Sequence, residues 1–135
     1  MPDVDFQEDI TKPSFKDNSF NFICCSNVLE HISDDVAAMS ELYRILVPGG
    51  VAIIQFPIRF GMTIEDPSIT DPEKRTELYG QGDHVRFYGE DIKDRLTPVG
   101  FEVEPFYMLD VLDLSESGIE KMNLNKRELI HKCMK

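Results

Sequence analysis

Two apolar runs set the frame of this chain. FNFICCS, Phe20 to Ser26, is almost continuous in apolar residues, and VAIIQF, Val51 to Phe56, is a second such run. Runs without alternation suit strands covered on both faces, as in a parallel sheet. Between them Val36, Met39, Leu42, Tyr43 and Leu46 recur at helical spacing. Ser33 suits the N-cap of that helix, with Asp34 and Asp35 at the positive end of its dipole. Pro48-Gly49-Gly50 stops it. Strand, helix and strand within about thirty residues make a βαβ unit, the crossover that a parallel pair requires.

The flanking segments extend this α/β pattern. Val4 to Glu8 alternates and reads as a short strand. Pro57 to Arg86 is a long irregular excursion with one short helix, capped by Thr70 or Asp71, with a Thr70-x-x-Glu73 capping box and Tyr79-Gly80 at its end. Excursions of this length at a strand end are usually lids or substrate loops. Gly89 to Val99 predicts a helix, Phe101 to Phe106 a strand, Ser115 to Leu124 a weak helix and Glu128 to Met134 a final strand.

With 135 residues the chain has room for one domain, residues 1–135, with 58–86 as its insertion. A net charge of −11 argues against binding nucleic acid or an anionic membrane surface. No apolar run reaches membrane-spanning length. The three cysteines, Cys24, Cys25 and Cys133, lack metal-ligand spacing, read as small buried hydrophobes, and fit a reducing cytoplasmic setting. No metal constellation stands out in the sequence, and no G-x-S-x-G elbow is present.

DITKPSFKDNSFNFICCSNVLEHISDDVAAMSELYRILVPGGVAIIQFP resembles the middle of a class I S-adenosylmethionine (SAM) dependent methyltransferase domain. Its order matches the family wording: an acid after the third strand, a D-N-S-F-D-type fourth strand, V-L-E-H, a helix, L-x-P-G-G and a fifth strand. DPSITDPEKRTELYGQGDHVRFYG resembles the substrate-side insertion of one subgroup. The resemblance implies a partial Rossmann-like sheet, mostly parallel with an antiparallel final strand, in the order 3-2-1-4-5-7-6. The sequence holds neither the G-x-G-x-G loop nor the acid that binds the ribose hydroxyls. The expectation is the C-terminal part of the fold without its first two strands. Strand 20–26 then has an open edge, which invites a homodimer or a domain swap.

The resemblance also implies site residues. Asp9 would accept from the adenine amino group with Ile10 beside the ring; the alternative is a loop acid capping a turn. Ser26, Asn27 and Val28 would border the methionine part of SAM; the alternative is a plain strand-to-helix connection. His31 is either a base near the methyl acceptor or a residue that orders the loop. Glu30 reads as a structural partner for nearby donors. In Asp83-His84-Val85-Arg86, His84 is a second candidate base. Asp83, Arg86 and Arg59 would face a small-molecule acceptor; the alternative is that the stretch ties the insertion to the sheet. His131 reads as a satisfied structural histidine. Two functions remain open: methyl transfer to a small molecule with a missing N-terminal half supplied elsewhere, or a catalytically silent association module.

Overall fold

The computed structural model describes residues 4–107, 110, 116–121 and 128–135. The βαβ unit forms where the apolar runs place it. Strand β1 spans Phe20–Ser26, helix α1 Asp35–Ile45 and strand β2 Leu46–Gln55. β1 and β2 pair in parallel, with Cys24 opposite Ile53 and Ser26 opposite Gln55. The helix N-cap is Asp34 rather than Ser33: its carboxylate accepts from the Ala37 N–H at 3.0 Å. The helix ends at Ile45, before Pro48, and the chain is already extended at Leu46. The β1–β2 register slips between Phe20 and Phe22, which absorbs Pro48, Gly49 and Gly50 as an irregular strand start.

Two short strands, β3 (Ile64–Glu65) and β4 (Arg86–Phe87), pair antiparallel and flank helix α2 (Pro72–Tyr79). Asp71 caps α2 through the Lys74 N–H, and Gly80 closes it in the left-handed region at φ 89°. Thr70 makes no cap here. A 3-10 turn, Glu90–Ile92, leads into α3 (Lys93–Val99), followed by β5 (Glu102–Tyr107), α4 (Glu116–Lys121) and β6 (Leu129–Met134). The main sheet runs β1-β2-β6-β5, with β6 antiparallel to both neighbours. That is the 4-5-7-6 portion of the expected order. Leu29, Met39, Leu42, Leu46, Ile54, Tyr88, Leu96 and Phe101 form the centre of the core.

Other expectations change as well. Val4 to Glu8 forms no strand, and Phe6 is 69% exposed. In the family order its partner is strand two, which is not among the described residues, and a lone strand has nothing to satisfy its backbone. β1 is not covered on both faces: of its seven residues only Cys25 is buried, and Phe22 is 57% exposed. Among the described residues β1 pairs only with β2, so the open edge expected for 20–26 is present. Cys25 and Cys133 are buried, and burial pushes both thiols up to about 12; Cys24 is exposed on the other face of β1.

His131 is also unlike its expectation. It is buried against Phe56, yet its Nδ1 has no hydrogen-bond partner among the described residues. Burial holds this imidazole below its ordinary range, with the Ile54 backbone working weakly the other way. The folded state therefore binds fewer protons than the unfolded one near and below the unfolded value, which is about 6.5. Stability is whole above that pH and falls as the pH drops through it toward the lower folded value. Urea midpoints measured at successive pH steps from neutral to mildly acidic should fall for the wild type. The fall should be shallower for His131→Phe; equal slopes would refute the assignment.

Candidate functional site

Ser26, Asn27 and Val28 lie at the carboxyl end of β1, where open α/β sheets bind their ligands. Asn27 adopts a left-handed conformation at φ 53°, which Asn tolerates better than most side chains. Its N–H donates to the Gln55 carbonyl at 2.9 Å, and the Ser26 hydroxyl lies 2.6 Å from the Gln55 side-chain oxygen. These bonds turn the chain off the sheet and into the 3-10 turn Leu29–His31. Val28 packs on the core.

A cleft of about 990 Å³ opens beside this strand end, and Asn27, Gln55, Ile58, Arg59, Glu90 and Tyr107 line part of it. Gln55 also donates to Glu128 across the sheet. Arg59 is held there by its backbone N–H, which donates to the Tyr88 carbonyl at 2.9 Å. Gln55 and Glu90 escaped the sequence reading, since a polar residue ending an apolar strand and an acid opening a helix have ordinary local roles.

The other candidates sit elsewhere. Asp9 is exposed and folded onto Thr11, accepting from its N–H at 2.9 Å and its hydroxyl at 2.7 Å. Those bonds hold the carboxyl below its usual range. Ile10 is half-buried against the core. His31 and His84 meet edge to face with ring centres 4.7 Å apart. His31 Nδ1 is 3.3 Å from Asp83, and His84 Nδ1 is 3.0 Å from the Tyr79 carbonyl. None of these four side chains is among the cleft-lining residues.

Arg86 is 3% exposed, and its donors are committed to protein oxygens. It donates to the Leu29 carbonyl at 3.1 Å, the Ser33 carbonyl at 2.8 Å, the Ile32 carbonyl and Glu65. Asp35 lies 3.6 Å from its Nε and also receives Arg95 and the Tyr88 hydroxyl. Burial pushes the Glu65 carboxyl up, but hydrogen bonds from Arg86 and Arg95 outweigh it and hold the group below its usual range. The Asp35, Glu65 and Arg95 partners were not legible, because an acid at a helix start already has a local explanation in the dipole.

The four-stranded β1-β2-β6-β5 sheet, with a cleft at its parallel strand ends, has the 4-5-7-6 strand order of a methyltransferase sheet. The chain has the fold of the class I SAM-dependent methyltransferases. Residues 2–54 match the family model for a methyltransferase domain. Over 46 residues the chain is 44% identical to demethylmenaquinone methyltransferase of Streptomyces avermitilis, covering 34% of this chain and 20% of that enzyme. A chain of the Haloferax volcanii complex containing the methyltransferase activator Trm112 matches over 98% of this chain and 63% of its own length, at 17% identity and TM-score 0.62. Phosphoethanolamine N-methyltransferase 2 of Haemonchus contortus, solved with S-adenosyl-L-methionine, matches over 94% of this chain and 36% of its own length, at 19% identity and TM-score 0.59. The chain thus spans a fifth of the curated relative and less than two thirds of these structures. Among the described residues no helix is long and apolar enough to cross a membrane.

Proposed function

We propose that this chain forms the acceptor-side half of a SAM-dependent methyl-transfer site and acts on a small molecule. The observation that carries the proposal is the cleft of mixed polar and apolar lining at the carboxyl ends of β1 and β2, with Asn27 and Arg59 in its wall. SAM brings the activated methyl group, and the protein's task is to bind and orient. The residues present fit only part of that cofactor. Ile10 offers an apolar face to an adenine ring, and Ser26 to Val28 offer small side chains and backbone near a methionine moiety. Asp9 reaches an adenine amino group only by leaving Thr11. The sequence holds no G-x-G-x-G loop, so the remaining wall comes from a further segment, in this polypeptide or another. Arg59 faces the acceptor from a wall that also carries Glu90, Asp110 and Glu128, and segment 58–86 covers it. The net charge of −11 supports a small acceptor rather than nucleic acid, and three free thiols support a cytoplasmic setting.

A second reading is supported by the open edge of β1 and by Phe22: the chain associates, as a homodimer or a domain swap through 20–26. Calorimetric titration with SAM tests whether the cofactor site is complete within this chain. The expected result for the chain alone is no saturable heat below millimolar cofactor. Micromolar binding would show that the site is complete within these residues and would overturn the need for a second segment. Sedimentation at rising concentration tests association, and a strictly monomeric particle would exclude the second reading.

A further inference from the structure

The turn after β1 meets the loop between α2 and β4 at a cluster that the cleft does not use. Glu30, His31 and His84 each bring a ligand-type atom within 4.8 Å of the other two. Glu30 is 2% exposed, and its Oε2 has no hydrogen-bond partner among the described residues. A buried carboxylate oxygen without a donor is costly, and two imidazoles beside it do not cure that by hydrogen bonding as they stand.

The histidines are held in a particular way. His84 Nδ1 faces the Tyr79 carbonyl, which can only accept, so Nδ1 carries the proton and Nε2 keeps its lone pair in the neutral ring. His31 Nδ1 faces the Asp83 carboxylate. Metal-bound histidines characteristically donate their second ring N–H to a carboxylate or a backbone carbonyl, which fixes the tautomer and strengthens the ligand. Both kinds of partner are present here, one on each ring.

We propose that Glu30, His31 and His84 form a binding site for a divalent transition metal, with zinc as its natural occupant. Two imidazoles and one carboxylate are a three-ligand zinc set that leaves a fourth position for water. Magnesium and calcium prefer all-oxygen shells, so this donor set disfavours them. Around a tetrahedral ion, ligand atoms bonded at about 2.1 Å stand about 3.4 Å apart. Closing from the 4.8 Å limit is a side-chain adjustment rather than a refolding. His31 is partly exposed and gives the ion a way in. A bound ion would join residues 30 and 31 to residue 84, fastening the turn after β1 to the loop before β4. This inference does not depend on methyl transfer.

The test uses the 135-residue chain stripped with EDTA and titrated with zinc chloride, then with cobalt(II) followed by visible absorption. One equivalent should bind, cobalt should show the intense bands of four-coordinate geometry, and excess zinc should raise the unfolding temperature. His84→Gln and Glu30→Gln should each weaken binding ~100-fold or more, and Asp83→Asn about tenfold. His31→Gln covers the case in which the buried variants unfold, because that side chain is partly exposed. It too should weaken binding at least about tenfold. No saturable uptake by the wild type, or a folded His31→Gln protein that binds zinc as the wild type does, would overturn the proposal.

Discussion

Arg86→Ala should cost about 3–5 kcal/mol of stability, read as a fall in the urea midpoint at neutral pH with little change in slope. The side chain is 3% exposed and carries no solvent-facing role that an alanine could leave untouched. Its removal leaves the carbonyls of Leu29, Ile32 and Ser33 short of a strong donor, leaves Glu65 with Arg95 alone, and leaves Asp35 with Arg95 and the Tyr88 hydroxyl. Single-domain stabilities run roughly 5–15 kcal/mol, so this one change removes a large share. Arg86→Lys should recover only part of the loss, because an ammonium cannot reproduce the planar fork that reaches three carbonyls at once. The variant should also differ in acid. Glu65 is held below its usual range, so its contribution is present above the unfolded carboxyl value and is lost as pH falls through the folded one. Without Arg86 that acid-linked loss should shrink. A neutral-pH loss under about 1 kcal/mol would show that the guanidinium does not hold these segments together.

Leu29→Ala is the second large effect, at about 2–5 kcal/mol. Leu29 is fully buried and opens the 3-10 turn that carries Glu30 and His31. Truncation leaves a cavity in the core cluster to which Leu29 belongs or forces the turn inward, and both outcomes cost stability. Val36→Ala is the internal control: Val36 is 47% exposed, and its loss should stay within roughly 0.5 kcal/mol. Thermal and urea unfolding of the pair should separate by several-fold in their effect. Similar small losses in both would mean that the turn is not seated in the core.

Much of the fold was legible because it rests on local rules. Period and punctuation located β1, α1 and β2, and Asp71 with Gly80 bounded α2 for reasons of capping and left-handed geometry. Where the reading missed, a long-range partner decided. Val4 to Glu8 alternates like a strand, but a strand needs a neighbour. Phe20 to Ser26 reads as buried on both faces, but only a neighbour on the far edge and a cover on the second face would make it so.

The site divides along the same line. Asn27 and Arg59 were identified from the sequence and do share the cleft wall. Arg86 was expected to face a small-molecule acceptor beside Asp83 and His84, yet its donors turn inward to the β1–α1 connection. Glu30, His31 and His84 carry no metal-ligand spacing, since two are adjacent and the third follows only after the whole of β2 and α2.

By itself the sequence determined the parallel βαβ unit, the polar strand end at Ser26 and Asn27, and the absence of a Gly-rich loop from these residues. Each is a local property of composition and period. Only the tertiary structure decided which face of β1 is buried, that Arg86 is a fastener, and that a buried carboxylate meets two oriented imidazoles. All three depend on distances between segments remote in sequence, and the last two on packing of the 58–86 segment against the β1–α1 turn.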